Sequence, residues 1–176
     1  MDCAGCVHSG QEQTGKSISV PFCSAAGNRS NNYQGEAGKG QHCKLANQIM
    51  IAGTLSGVCE ALTYAKEQGL DLDVVMRSVS TGAAGSKQLD TFGPKIIAGD
   101  YAPGFFMKHF IKDMKLALIE ANRKGLSLDV LSMVLANCEE LEAEGYGELG
   151  TQALIKFYDE EHRYMEDEEE PEQAEE

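Results

Sequence analysis

Gly35-Glu-Ala-Gly38-Lys-Gly40-Gln-His-Cys-Lys44-Leu-Ala-Asn47-Gln48 is the stretch on which the reading of this chain turns. Its three glycines interrupt regular structure, and the residues that follow them are helical in pattern. Ile51, Leu55, Val58 and Leu62 recur at intervals of four, three and four, and Leu45 and Ile49 extend the apolar surface backwards. The pattern predicts one helix from Gly40 to about Glu67, stopped by Gly69, of about 27 residues and roughly 40 Å at 1.5 Å per residue. Lys44, Asn47 and Gln48 fall on its first turns, three and four residues apart, so their side chains share one face. A lysine ammonium can exchange a proton with a substrate oxygen, and a neighbouring carboxamide can hold a hydroxyl in place. A solvated lysine beside polar surface residues fits the same spacing.

Downstream the chain continues to read as helix. Asp71 or Asp73 opens a short segment through Val74 and Val79, and a small-residue turn, Ser80-Thr-Gly-Ala-Ala-Gly-Ser86, follows. A helix is expected from Ser86 to Ala98, with Gly93-Pro94 positioned to split it in two. Gly99-Asp-Tyr-Ala-Pro-Gly104 signals a loop. Phe106, Phe110, Met114, Ala117 and Ala121 then form a helical stripe closed by Lys124-Gly125. Ser127 or Asp129 can cap another helix through Val130, Met133, Val134, Cys138 and Leu141 to about Ala143. A last helix carries Leu149, Ala153, Leu154, Phe157 and Tyr158. Almost nothing reads as strand, so the fold class is all-α, with about six helices around one long one.

Residues 1–33 are rich in Gly, Ser, Asn and Gln and show no sustained period, apart from the strand-like run Ser17-Ile-Ser-Val-Pro-Phe22. They read as an irregular segment, disordered or loosely attached. The expected organisation is this segment, a helical domain over 34–164, and an acidic disordered tail over 165–176. Residues Glu166 to Glu176 hold eight of the 28 acidic residues and none of the 15 basic ones, which leaves the remainder at 20 against 15, a net charge of −5.

A chain without a lysine/arginine cluster is a poor phosphate-backbone binder, so nucleic acid is not an expected partner. The uncharged run Leu45–Cys59 has 15 residues, short of the roughly 18 that cross a bilayer, so no membrane span is expected. The N-terminus lacks the charged and apolar regions of a secretory signal, and a cytoplasmic address follows by default. Six cysteines in a chain of 176 residues are expected to be free thiols, Cys59 and Cys138 as small core residues.

The quoted lead-in, Gly35-x-x-Gly38-x-Gly40-x-x-x-Lys44-x-x-Asn47-Gln48, resembles the glycine-rich loop and catalytic lysine of the β-hydroxyacid dehydrogenases. Ser80 to Ser86 is similar to that family's small-residue turn. Phe105, followed seven residues later by Lys112-Asp113 and then Leu116-Ala117, resembles its Phe-x6-Lys-Asp-x-x-Leu-Ala element, and Gly145 to Ala153 matches the closing segment. Four motifs in order, over about residues 32–158, argue against chance. The resemblance implies the C-terminal helical domain of 6-phosphogluconate dehydrogenase-like proteins and an NAD- or NADP-dependent oxidoreductase. Such an enzyme interconverts a small 3-hydroxy acid and its semialdehyde, as 3-hydroxyisobutyrate dehydrogenase and 2-hydroxy-3-oxopropionate reductase do. It further implies Lys44 as general acid/base, Asn47 or Gln48 as the group orienting the substrate oxygen, Lys112 beside cofactor and substrate carboxylate, and Phe105 as a wall of the nicotinamide pocket. For Asp113, ion pairing within its own helix is an equally good reading.

The chain departs from the family in one large respect. No Gly-x-Gly-x-x-Gly follows a strand, and the family's serine-glycine-glycine substrate element has no counterpart. The expected partners are therefore a small hydroxy acid or semialdehyde, a second copy of the chain, or a nucleotide-binding (Rossmann) domain not found in these residues. The competing reading is an inactive helical dimerisation or binding module derived from the same family. No metal is expected: Cys3-x-x-Cys6-x-His8 with Cys23 is an incomplete zinc set. Gly38-Lys39 is not a phosphate loop, because Tyr33 and Gly40 replace the required glycine and hydroxyl residue. His42 and His109 read as helix-surface residues, and Met107, Met114 and Met133 as core.

Overall fold

The computed structural model describes residues 34–158, and the expectations for the N-terminal segment, the Cys3/Cys6/His8/Cys23 set and the acidic tail lie outside them. The predicted long helix is present as α1, Lys39–Glu67, a span of 29 residues. Gly38 sits just before it at φ 89°, a left-handed conformation that costs glycine little and other residues more, so the chain turns into the helix there without a side-chain cap.

α2 (Leu72–Val79) is capped by Asp71, whose side chain accepts the Val74 N–H. α3 (Lys87–Ile97) is capped in the same way by Ser86 and runs unbroken through Pro94. The expected split does not occur. The carbonyl that loses its partner to proline belongs to Asp90, which is solvent-exposed, so water can satisfy it. The Ser80 to Ser86 connection needs Gly85, because a Cβ there would lie 2.2 Å from the Ser80 carbonyl oxygen.

α4 (Met107–Asn122) begins after the 99–106 loop, with Phe106 at its N-cap, and α5 (Asp129–Ala143) begins after Leu128. Neither Ser127 nor Asp129 caps α5; the Ser127 hydroxyl bonds the Asp129 carboxylate instead. The last segment is not an α-helix but two 3-10 helices, Tyr146–Glu148 and Thr151–Tyr158. Between them Leu149 is extended and Gly150 forms a bridge to Phe106, the one β interaction among the described residues. That bridge takes two residues out of helical pairing, which is why apolar spacing alone misread the region.

The core surrounds α1. Ala52, Leu55, Cys59 and Leu62 pack with Met107, Phe110 and Met114 of α4, Val134, Cys138 and Leu141 of α5, and Ala153 and Leu154 of the last 3-10 helix. Each leucine, valine, methionine or phenylalanine side chain among them contributes roughly 1.5–3 kcal/mol when fully buried. Met133 is half-exposed, contrary to expectation, because it lies on the outer face of α5, one residue before the buried Val134. Cys43, Cys59 and Cys138 carry reduced thiols. By length and hydropathy α1 could cross a bilayer, more so than its uncharged run suggested. Its place at the centre of this core, with Gln48, Ser56 and Thr63 buried along it, makes it the core helix of a folded domain.

Candidate functional site

α1 and α4 pack against each other and bring the sequence-predicted polar residues to one point. Lys44, Asn47 and Gln48 descend the first turns of α1, while Lys112 and Asp113 lie in the second turn of α4. Asp113, 2% exposed, is the hub. Its Oδ2 lies 3.0 Å from Lys44 Nζ and accepts a hydrogen bond from Gln48 Nε2, also at 3.0 Å. Its Oδ1 lies 3.7 Å from Lys112 Nζ, an electrostatic contact too long for a hydrogen bond, and has no hydrogen-bond partner. Asn47 Nδ2 donates to Gln48 Oε1 at 3.4 Å.

The two lysines differ from the carboxylate in exposure. Lys44 is 44% and Lys112 64% exposed, so both ammonium groups reach solvent above a buried anion. A buried carboxylate is tolerated only when paired and hydrogen-bonded, and here the pairing comes mainly from another helix, 69 positions earlier in the chain. Ion pairing within the helix of Asp113, the expected alternative, is limited to the longer Lys112 contact.

What aims Asp113 at α1 is a brace that the sequence did not disclose. Gln152, fully buried, donates from Nε2 to the carbonyls of Asp100 and Ala102 at 3.0 and 3.1 Å. The Gly150 N–H bonds the Tyr101 carbonyl, Thr151 N–H the Phe105 carbonyl, and Met107 N–H the Leu149 carbonyl. The loop before α4 is thereby tied to the closing 3-10 segment, and the Met107–Leu149 bond holds the first residue of α4. Lys156 adds a cation over the rings of Tyr101 and Tyr146, 4.8 and 5.2 Å from their centroids. A buried glutamine beside a loop has no periodic signature, so only the folded arrangement reveals it.

Phe105 is half-buried at the start of α4, with its ring against His109 and Phe110. It stands in the loop one residue before the α4 N-cap rather than in the Asp113 cluster. His42 and His109 are exposed. The Ser80 to Ser86 turn belongs to the α2–α3 connection and not to this cluster. Among the described residues, no group of three or more His, Cys, Asp or Glu residues could hold a metal ion.

Residues 38–158 match the family model described as NAD-binding of NADP-dependent 3-hydroxyisobutyrate dehydrogenase. The chain belongs to this dehydrogenase family. Among its relatives is the probable 3-hydroxyisobutyrate dehydrogenase-like 1, mitochondrial, of Arabidopsis thaliana, 48% identical over 124 residues, which cover 70% of this chain and 37% of that protein. The 2-hydroxy-3-oxopropionate reductase of Escherichia coli (strain K12) is 36% identical over 126 residues, 69% of this chain and 42% of its own length. A solved 3-hydroxyisobutyrate dehydrogenase from Salmonella typhimurium superposes with a TM-score of 0.65 at 27% identity, covering 68% of this chain and 42% of that one. The chain thus spans less than half the length of these relatives. The family consists of oxidoreductases that use NAD or NADP, and its helical domain is the part seen here.

Proposed function

We propose that this helical domain supplies the proton-transfer half of a dehydrogenase site that interconverts a small 3-hydroxy acid and its semialdehyde. The observation that supports this most is the placement of Lys44: a half-exposed ammonium anchored at 3.0 Å to a buried carboxylate, beside two carboxamides. Held there, Lys44 gives a proton to a carbonyl oxygen in reduction and takes it back in oxidation. Asn47 or Gln48 orients that oxygen, and Lys112 offers a cation to the substrate carboxylate or the cofactor.

The residues present fit the nicotinamide end of a dinucleotide. Two ammonium groups face solvent over Asp113, whose Oδ1 has hydrogen-bonding capacity to spare, and Phe105 offers a half-buried ring in the loop just before the helix of Lys112. Bound nicotinamide supplies or accepts the hydride. The described residues place no Gly-x-Gly-x-x-Gly after a strand to cradle the pyrophosphate; the one they contain, Gly145 to Gly150, lies at the two 3-10 helices, so the adenosine end needs a Rossmann domain in addition. Exposed Met50, Leu116, Ile119, Leu126 and Val130 support a partner domain or a second copy against this one.

The decisive experiment joins this domain to a family nucleotide-binding domain and replaces Lys44 by alanine. Loss of the general acid/base is expected to lower kcat by about 100- to 10,000-fold. A loss smaller than about tenfold overturns the assignment. Tested without such a domain, the 176-residue chain is expected to give no saturable NADH or NADPH binding below about millimolar. The inactive-module reading gains if the joined protein folds, dimerises and turns over nothing even with Lys44 intact.

A further inference from the structure

Asp113, flanked by the ammonium groups of Lys44 and Lys112, is a carboxylate, and a carboxylate only accepts hydrogen bonds. The carboxamide of Gln48 must therefore turn its nitrogen towards Oδ2, where it stands at 3.0 Å. That choice fixes the other end: Gln48 Oε1 points away from Asp113 and can only accept. The donor it meets is Asn47 Nδ2, at 3.4 Å. Asn47 is in turn left with its Oδ1 and its second N–H. Gln48 is only 6% exposed, whereas Asn47 is half-buried.

We propose that Gln48 is a positioning residue which, held by Asp113, sets the orientation of the Asn47 carboxamide, so that Asn47 alone is presented to the substrate oxygen. This rests on the dehydrogenase reading for its purpose but not for its geometry. One buried carboxylate then performs two tasks from one oxygen. It anchors the Lys44 ammonium at 3.0 Å and, through Gln48, orders the amide beside it. The proton donor and the hydrogen-bond donor are thereby referenced to a single atom, and a substrate oxygen meets both in fixed relation.

The side-chain amide resonances of the full 176-residue chain test this without turnover. In Gln48→Met, which keeps the length of the side chain and removes its hydrogen bonds, solvent exchange of the Asn47 amide protons is expected to quicken about two- to fivefold, the range of a weak net hydrogen bond. In Asp113→Asn the Gln48 and Asn47 amides are expected to quicken together. In Asn47→Ala the Gln48 amide is expected to stay slow, because Asp113 still holds it. Backbone amide protection measured alongside separates this from a general loosening. Unchanged Asn47 exchange in Gln48→Met overturns the proposal. Should that variant not fold, an effect confined to Gln48 in Asp113→Asn overturns it equally. Because the readout is amide exchange, failure here leaves the dehydrogenase reading standing, and failure of that reading leaves the relay measurable.

Discussion

At the Lys44 end of α1, a fully buried carboxylate meets two ammonium groups and one carboxamide, and one of its oxygens is still short of a hydrogen bond. At the Ser56 end, the polar contact is neutral at its centre. The Tyr158 hydroxyl lies 2.8 Å from the Ser56 hydroxyl and 3.5 Å from both Asn137 Nδ2 and Glu60 Oε1, and joins the last 3-10 helix to α1 and α5. The second arrangement uses the hydroxyl fully and reads as a structural fastening. The first retains a buried charge with unused capacity, which costs stability unless something else gains from it. Unused capacity under two half-open cations is what a binding and proton-transfer site requires.

The largest effect on stability is expected from Asp113→Ala. It leaves the buried Gln48 amide without its acceptor and Lys44 without its anchor, a cost of about 2 kcal/mol in chemical denaturation. A cost below about 0.5 kcal/mol would mean that the carboxylate is not the hub.

Alkaline titration should weaken the opposite end. Burial, reinforced by Glu139, pushes the Cys138 thiol up to about 12, and burial with the charge of Glu60 raises the Tyr158 hydroxyl against the lowering effect of its bonds to Ser56 and Asn137. Both groups are neutral in the fold, so the unfolded chain releases these protons first. The stability they contribute is complete below about pH 9 and is lost as pH climbs towards 12. About 2 kcal/mol should be gone by about pH 10.5, and Cys138→Ala should show a shallower decline. Mass-spectrometric mapping of alkylation in the native state at neutral pH should find Cys138 unmodified.

Tyr158→Phe should cost about 1 kcal/mol, the usual net worth of a hydrogen-bonded hydroxyl. A double-mutant cycle with Ser56→Ala should show coupling. Additivity of the two would deny the fastening role. The smallest change, under about 0.5 kcal/mol, is expected for Lys112→Ala, since an ammonium mostly in water adds little to an ion pair. A larger destabilisation would make Lys112 a structural residue and weaken the contrast between the two ends.

Much of the fold can be read from the residues. α1 follows from its spacing of four, three and four, α2 from the Asp71 cap, and α4 from the stripe at Phe110, Met114, Ala117 and Ala121. The continuity of α3 through Pro94 and the 3-10 character of residues 146–158 cannot be read in this way. The first depends on whether one carbonyl is exposed to water, the second on a bridge to a loop more than 40 positions away. Lys44, Asn47 and Gln48 are legible as a shared helix face, and Lys112 through its motif. Asp113 appears in that motif only as a neighbour of Lys112.

The sequence by itself determined an all-helical domain, its long central helix and its dehydrogenase lineage, because helical periodicity and motif spacing are local properties of the chain. Only the tertiary structure decided that Asp113 belongs to Lys44, that Gln48 is buried while Asn47 remains accessible, and that Gln152 braces the loop before α4. Those relations depend on which groups lose water together when α1, α4 and the closing segment pack, and that is settled by contacts between residues far apart in the chain.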